Sequence, residues 1–255
     1  MIYILSKAVS FFSSEEKQFC PVCDKTNAGF SALPDYFSDN ASKHGYVYFG
    51  KGEMTTLETY SCLNCGASDR ERLYAYWIGL QLKTDKLSDK NRVIHFAPEA
   101  ALSNKLRTLN LNCYHTADLL MDGCDYKIDM MHMPFGDESY DFFICSHVLE
   151  HVESDDKAIS ELYRITKKGG AGILMAPIII GLDKTIEDPT VKDEANRWRL
   201  FGQYDHVRLY AHDDYVNKIR SNGFLVEALG ERYFGKKVFH ALGLKRTSVL
   251  YVVTK

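Results

Sequence analysis

Tyr140-Asp141-Phe142-Phe143-Ile144-Cys145-Ser146-His147-Val148-Leu149-Glu150-His151 is an apolar run that stops at a serine and gives way to a histidine-bearing loop. Tyr140 to Cys145 reads as a buried strand, and its neighbours on either side repeat the pattern. Upstream, Val93 to Phe96 reads as a first strand, with Ala100, Leu102, Leu106 and Leu109 as the inner face of the helix after it. Asn112 to Thr116 reads as a second strand ending at Asp118, and Tyr126 to Ile128 as a third ending at Asp129. Downstream, Ala158, Ile159, Leu162 and Ile165 mark one side of a helix from about Asp155, with Thr166-Lys167-Lys168-Gly169-Gly170 as its stop signal. Ala171 to Ala176 reads as a fifth strand closed by Pro177. A helix over Asp213 to Arg220 and strands at Phe224 to Leu229 and Val249 to Val253 complete the series. Short apolar runs alternating with helical patterns predict an α/β fold, a doubly wound parallel sheet.

Ahead of this region stand two Cys-x-x-Cys knuckles, Cys20-Pro21-Val22-Cys23 and Cys62-Leu63-Asn64-Cys65-Gly66. They deliver four thiolates from two short turns, which is what tetrahedral zinc requires, so Cys20, Cys23, Cys62 and Cys65 are the expected ligands of a structural zinc. Between them, Gly45-Tyr46-Val47-Tyr48-Phe49-Gly50 reads as a strand bounded by glycines. Ser68-Asp69-Arg70-Glu71 is a capping box opening a helix whose apolar side carries Leu73, Tyr74, Trp77, Ile78 and Leu80. The polar stretch Lys83 to Asn91 reads as a linker. The expected division is an N-terminal helix and zinc ribbon over 1–68, a connecting helix and linker over 69–91, and the α/β domain over 92–255.

With 255 residues and a formal charge of −3, the chain has no general attraction for phosphate backbones, so nucleic acid is not the expected partner. Seven cysteines, four of them in metal-type spacings, point to a reducing, cytoplasmic compartment. The apolar runs of Met1 to Phe12 are too short to span a bilayer. Ile2, Leu5, Val9 and Phe12 suit a packing helix, which with the ribbon offers a surface for a protein partner or a dimer.

Three segments in order, Met133-Pro134-Phe135-Gly136-Asp137-Glu138-Ser139-Tyr140-Asp141, Ser146-His147-Val148-Leu149-Glu150-His151-Val152 and Leu162-Tyr163-Arg164-Ile165-Thr166-Lys167-Lys168-Gly169-Gly170, resemble the class I S-adenosylmethionine-dependent methyltransferases, close to their type 11 branch. The resemblance covers about Arg92 to Thr185. It implies a Rossmann-like, seven-stranded methyltransferase sheet and S-adenosylmethionine as cofactor, with a substrate-side insertion at 178–212. One departure stands out: where the family has a glycine-rich loop after its first strand, this chain has His95-Phe96-Ala97-Pro98-Glu99-Ala100-Ala101. That form is similar to the loop of bacterial methyltransferases with an N-terminal cysteine ribbon. Ala97 and Pro98 would allow close approach of the cofactor, and Glu99 would hold its ammonium group. The resemblance further implies that Asp118, with Leu119, accepts the ribose hydroxyls. It places Asp129 and Met130 at the adenine and Ser146 beside the cofactor.

Methyl transfer from a sulfonium needs alignment and, for a hydroxyl acceptor, a base. His147 follows the fourth strand, where the methyl group should emerge. His206, in Phe201-Gly202-Gln203-Tyr204-Asp205-His206-Val207-Arg208, is the favoured base, with Asp205 and Arg208 contacting the acceptor. His147, Glu150 and His151 also resemble in position the carboxylate and histidine cluster by which ubiquinone-pathway O-methyltransferases hold a divalent metal, with His147 in place of the first carboxylate. The leading expectation is O-methylation of a small-molecule or glycan-like acceptor. An RNA methyltransferase is the alternative, opposed by the few basic residues of the ribbon insertion, Lys25, Lys43 and Lys51. A third reading is a non-catalytic interaction protein whose cofactor fold is vestigial.

Overall fold

The computed structural model describes residues 17–255 apart from 27, 110 and 112. The expected N-terminal helix over Met1 to Phe12 lies outside the described residues.

The described residues begin with two small hairpins. β1 (Phe19–Cys20) pairs with β2 (Lys25–Thr26), and β3 (Phe30–Ser31) pairs with β4 (Ser61–Cys62), each antiparallel. Between β3 and β4 lies a helix, α1 (Asp35–His44), that the sequence pattern did not announce. Gly45 ends it in the left-handed conformation, and Val47 to Gly50 form turns rather than the expected strand. The tyrosines that mimicked strand alternation, Tyr46 and Tyr48, instead pack onto a small cluster of Ile179, Phe201 and Leu209.

The capping box is present: Ser68 Oγ accepts from the Glu71 amide, Glu71 accepts from the Ser68 amide, and α2 (Asp69–Lys83) follows. This helix has no solvent side over its middle turns, since every residue from Glu71 to Gly79 is buried. The fully buried Arg72 explains part of that. Its guanidinium donates to the carbonyls of Thr59, Tyr60, Ala67 and Leu242, tying the ribbon and a distant C-terminal segment to one side chain. Hydrogen bonds to a charged donor are worth roughly 1.5–3 kcal/mol each, so Arg72 is a major brace.

The main sheet is built from β5 (Arg92–Phe96), β6 (Cys113–Asp118), β7 (Tyr126–Lys127), β8 (Tyr140–Ser146), β9 (Thr166–Met175), β12 (Leu225–Leu229) and β13 (Leu250–Thr254). Two further strands, β10 (Ile186–Glu187) and β11 (Arg208–Leu209), form a separate hairpin in the insertion. The seven strands lie in the order β12-β13-β9-β8-β5-β6-β7. β13 runs antiparallel to both neighbours, and the remaining pairs are parallel. Because β5 lies between β6 and β8, the chain reverses its direction of travel across the sheet there, a topological switch point. Helices α3 (Ala100–Arg107), α4 (Asp155–Ile165), α5 (Glu194–Phe201), α6 (His212–Ser221), α7 (Glu231–Phe234) and α8 (Lys236–Ala241) complete the fold. The chain has the expected Rossmann-like α/β architecture.

Local chemistry accounts for the core. Phe142, Phe143, Ile144 and Cys145 are all essentially unexposed, as a central parallel strand covered on both faces requires. Trp77 of α2 stacks on Phe142. Gly172 lets β9 approach β8 closely, since a Cβ there would stand 2.3 Å from the Phe143 ring. α4 buries Ala158, Ile159, Leu162 and Ile165, and stops at Ile165. The lysine and glycine signals after it do not cap the helix: Thr166 is already extended and pairs with Tyr140, so the segment opens β9. In α3, Leu102 and Leu106 are buried while Ala100 is exposed and Leu109 lies beyond the helix.

Candidate active site

The carboxyl ends of β5, β6 and β8 form one edge at the switch point, where open α/β sheets bind their ligands. Ala97, just past β5, holds φ at 45°, and its amide donates to the Ala117 carbonyl. A left-handed alanine costs about 1–2 kcal/mol. The loop therefore keeps a glycine-like backbone turn without a glycine, and the small side chain leaves the approach open. Pro98 is buried, and Glu99 occupies the N-cap position of α3 without capping it. Its carboxylate is committed elsewhere: Oε2 lies 2.9 Å from His95 Nε2 and Oε1 3.4 Å from Arg70 Nε. Burial alone would raise the Glu99 pKa, but the hydrogen bond and charge of His95, with the charge of Arg70, lower it to about 2. A cofactor ammonium group would thus share a carboxylate already engaged by His95 and Arg70. Sequence reasoning missed His95 and Arg70. His95, wholly unexposed within β5, continues the network through Tyr114 to Ser103.

Asp118 ends β6. Its Oδ1 accepts from the amides of Leu120 and Met121 at 2.7 and 2.6 Å, which leaves Oδ2 without a hydrogen-bond partner among the described residues. Leu119, Leu120 and Met121 are exposed. Asp129 Oδ1 accepts from the Met131 amide, and Met130 is buried against Cys145. Ser146, at the end of β8, bonds Tyr74 of α2 at 3.1 Å. The fold thus carries Ala97, Asp118 and Ser146 to the ends of three adjoining strands. The open backbone turn and the free carboxylate oxygen suit a ribose-bearing cofactor that needs close backbone approach and an anionic hydrogen-bond acceptor.

Beyond Ser146 the chain turns sharply at His147, where φ is 56°, and packs three histidines around a fully buried glutamate. Glu150 Oε1 lies 3.1 Å from His147 Nδ1, off line for a good hydrogen bond, and 3.9 Å from both His151 Nε2 and His206 Nε2. Asp205 Oδ2 holds the other ring nitrogen of His151 at 3.3 Å. Both Glu150 oxygens, His147 Nε2, His206 Nδ1 and Asp205 Oδ1 are buried with no hydrogen-bond partner among the described residues. Burial opposes the charge on Glu150, but His147 first, then His151 and His206, lower its pKa to about 2. Burial lowers His206 to about 4 despite Glu150, so it is neutral near pH 7. His151 is raised: burial works against its charge, and Asp205 and Glu150 outweigh it. Donor atoms of Glu150, His151 and His206 lie within 4.8 Å of one another, close enough to hold a metal ion.

Two expected acceptor contacts fall elsewhere. Arg208 is unexposed, and its donors go to the carbonyls of Leu149, Val152 and Glu153 and to Glu187. It locks the loop after His147 and, at 1% exposure, does not present its guanidinium to an acidic acceptor. His206, expected as the base, is 3% exposed beneath that same loop, out of an acceptor's reach. Asp205 serves His151.

In the ribbon, Cys20 Sγ lies 3.7 Å from Cys65 Sγ and Cys23 Sγ 3.9 Å from Cys62 Sγ, and no disulfide joins them. With Zn–S bonds near 2.3 Å a tetrahedral site has an S···S edge of about 3.8 Å, so the four thiols fit zinc. Each knuckle is followed by a left-handed residue, Asp24 at 57° and Gly66 at 75°.

Residues 98–174 match the family model described as "Methyltransferase domain". No curated protein matches the sequence. Among solved structures, the chain is similar to a SAM-dependent methyltransferase from Thermotoga maritima, at 16% identity over 72% of this chain and 96% of that one, with a TM-score of 0.40. It is similar also to an S-adenosylmethionine-dependent methyltransferase from Mesorhizobium loti, at 12% identity over 68% and 95%, TM-score 0.43. A third is the complex between the Haloferax volcanii Trm112 methyltransferase activator and a methyltransferase, at 14% identity over 73% and 92%, TM-score 0.44.

Proposed function

We propose that the protein is an S-adenosylmethionine-dependent methyltransferase that methylates a hydroxyl oxygen of a small-molecule or glycan-like acceptor, by in-line transfer with a histidine taking the proton. The observation that carries this reading is the set of carboxylate-paired histidines, His147 and His151 with Glu150 and His212 with Glu53, around the strand ends at which the cofactor's methyl group would emerge. A neutral imidazole is suited to accept a hydroxyl proton as the oxygen attacks. Asp118, through its unpartnered oxygen, would hold the ribose hydroxyls. Ala97 and Pro98 would admit the methionine half, and Leu119, Asp129, Met130 and Ser146 would line the adenosine side. The four-cysteine ribbon would hold zinc as a brace, on the order of 10 kcal/mol to so small a unit. Among the described residues no helix is long and apolar enough to cross a membrane.

Labelled methyl transfer tests this. Protein and tritiated S-adenosylmethionine are added to a cell extract, with and without nuclease. Label in the nuclease-insensitive small-molecule or glycan fraction is the expected result; label only in RNA favours the RNA reading.

A divalent ion beside the acceptor is a second reading, favoured by the two unpartnered oxygens of the buried Glu150. Purified protein would then hold one equivalent of metal beyond the ribbon's, lost in Glu150→Gln; a single equivalent in both proteins rejects it.

A further inference from the structure

Glu53, His212 and Tyr251 come from the ribbon insertion, the start of α6 and the start of β13, and meet in one hydrogen-bonded group. Glu53 Oε1 lies 3.0 Å from His212 Nδ1, Tyr251 donates its hydroxyl to Glu53 Oε2 at 2.5 Å, and the Tyr251 oxygen lies 2.8 Å from the same Nδ1. Burial first, then Glu53, raises the Tyr251 pKa far above its ordinary value, so the phenol keeps its proton and spends it on the carboxylate. Both atoms facing His212 Nδ1 are therefore acceptors, which puts the imidazole proton on Nδ1 and leaves the lone pair of the neutral ring on Nε2. Nε2 has no partner among the described residues.

Burial separates the parts by role. Tyr251 is 1% exposed and the Glu53 side chain 13%, whereas the His212 side chain is 44% exposed. An open imidazole oriented by a sheltered carboxylate is the arrangement a general base requires. His147 and His206 differ: their unpartnered nitrogens are buried.

Position agrees. Since β13 is reversed, its first residues lie at the edge where the parallel strands end. The Tyr251 amide rests on Met175 Sδ, and the Met175 carbonyl takes the His147 amide, so the two histidines flank one strand end. Glu53 is fixed there because its amide donates to the Ile178 carbonyl while the Ile180 amide donates to Lys51. The ribbon insertion thereby forms part of the wall at the acceptor side.

We propose that His212 Nε2 is the proton acceptor for the methylated hydroxyl, with Glu53 and Tyr251 as its positioning residues. The inference rests on the O-methylation reading and names the base within it. In the step, the acceptor oxygen forms the O–CH3 bond as the S–CH3 bond breaks. The hydroxyl proton passes to Nε2, and the products are the methyl ether, S-adenosylhomocysteine and an imidazolium that returns its proton to water.

The test has two arms. In protein labelled with 15N at histidine, long-range 1H–15N correlations assigned with His212→Gln are expected to give the Nδ1–H tautomer for His212, shifting toward Nε2–H in Glu53→Gln. In the extract assay, His212→Gln is expected to lower the turnover rate roughly 100-fold or more, at unchanged S-adenosylhomocysteine affinity. Glu53→Gln should fall between it and the parent. An Nε2–H tautomer in the parent protein, or full turnover in His212→Gln, overturns the proposal. If the parent protein transfers no label, the O-methylation reading fails, and with it this assignment, whatever tautomer is found.

Discussion

Arg208 separates two accounts of the insertion, as acceptor contact or as internal brace, and replacing it with methionine decides between them. The guanidinium donates to three backbone carbonyls, at Leu149, Val152 and Glu153, all 55 or more residues away in sequence. Glu187 adds a half-exposed ion pair that contributes little. Methionine keeps the stem's volume and deletes every donor. A buried carbonyl left without a donor costs about 1–3 kcal/mol, and breaking a buried charged network typically costs about 3–5 kcal/mol in all. Loop relaxation toward water trims the sum of the three carbonyls to that range. Arg208→Met should therefore lose about 3–5 kcal/mol in urea unfolding at unchanged slope. Tryptophan fluorescence can follow it, because Trp77 lies in α2 and Trp198 in α5. Stability within about 1 kcal/mol of the parent, together with a raised acceptor KM, would refute the brace and restore the acceptor role.

Other perturbations act at separate points. Ser68→Ala removes the Oγ that caps α2 and should cost about 1 kcal/mol in the same unfolding assay. Glu99, held to about 2 against an unfolded value near 4.3, adds stability that is fully present above the unfolded pKa and is lost as pH falls toward 2. The parent's unfolding free energy should drop by about 2 kcal/mol more than that of Glu99→Gln between pH 5 and pH 2; parallel curves would count against the pairing. Chelation of zinc from the ribbon should unfold the knuckles and expose Cys20, Cys23, Cys62 and Cys65 to a thiol reagent, whereas equal reactivity before and after chelation would exclude bound zinc.

The main strands were legible where an apolar run ends at a polar residue on the binding edge, as Phe142 to Cys145 do before Ser146. The four-cysteine cluster and the α2 cap were legible because their chemistry is local: two knuckles, one serine and a glutamate three residues later. Where a local signal admitted two outcomes, the tertiary pairing decided. Thr166 to Gly170 has the residues of a helix stop, but its pairing with β8 makes it strand. α1 was invisible because it buries only Ala41 and so has no apolar stripe to read. The burial of Arg208 depends on carbonyls more than fifty residues distant, and the His212 group joins three segments up to 198 residues apart. No spacing in the chain encodes those meetings. His95 hid inside a strand, where a histidine reads as one more core position.

The central claim is that the edge formed by Ala97, Asp118 and Ser146 binds S-adenosylmethionine although it lacks the family's glycines. Calorimetric titration of zinc-replete protein with S-adenosylhomocysteine, beside Asp118→Ala, tests it most directly. The account predicts micromolar binding by the parent and at least a tenfold loss in the variant, since a charged hydrogen-bond acceptor contributes roughly 1.5–3 kcal/mol. No heat from a folded parent protein, or equal affinity in both, would contradict it.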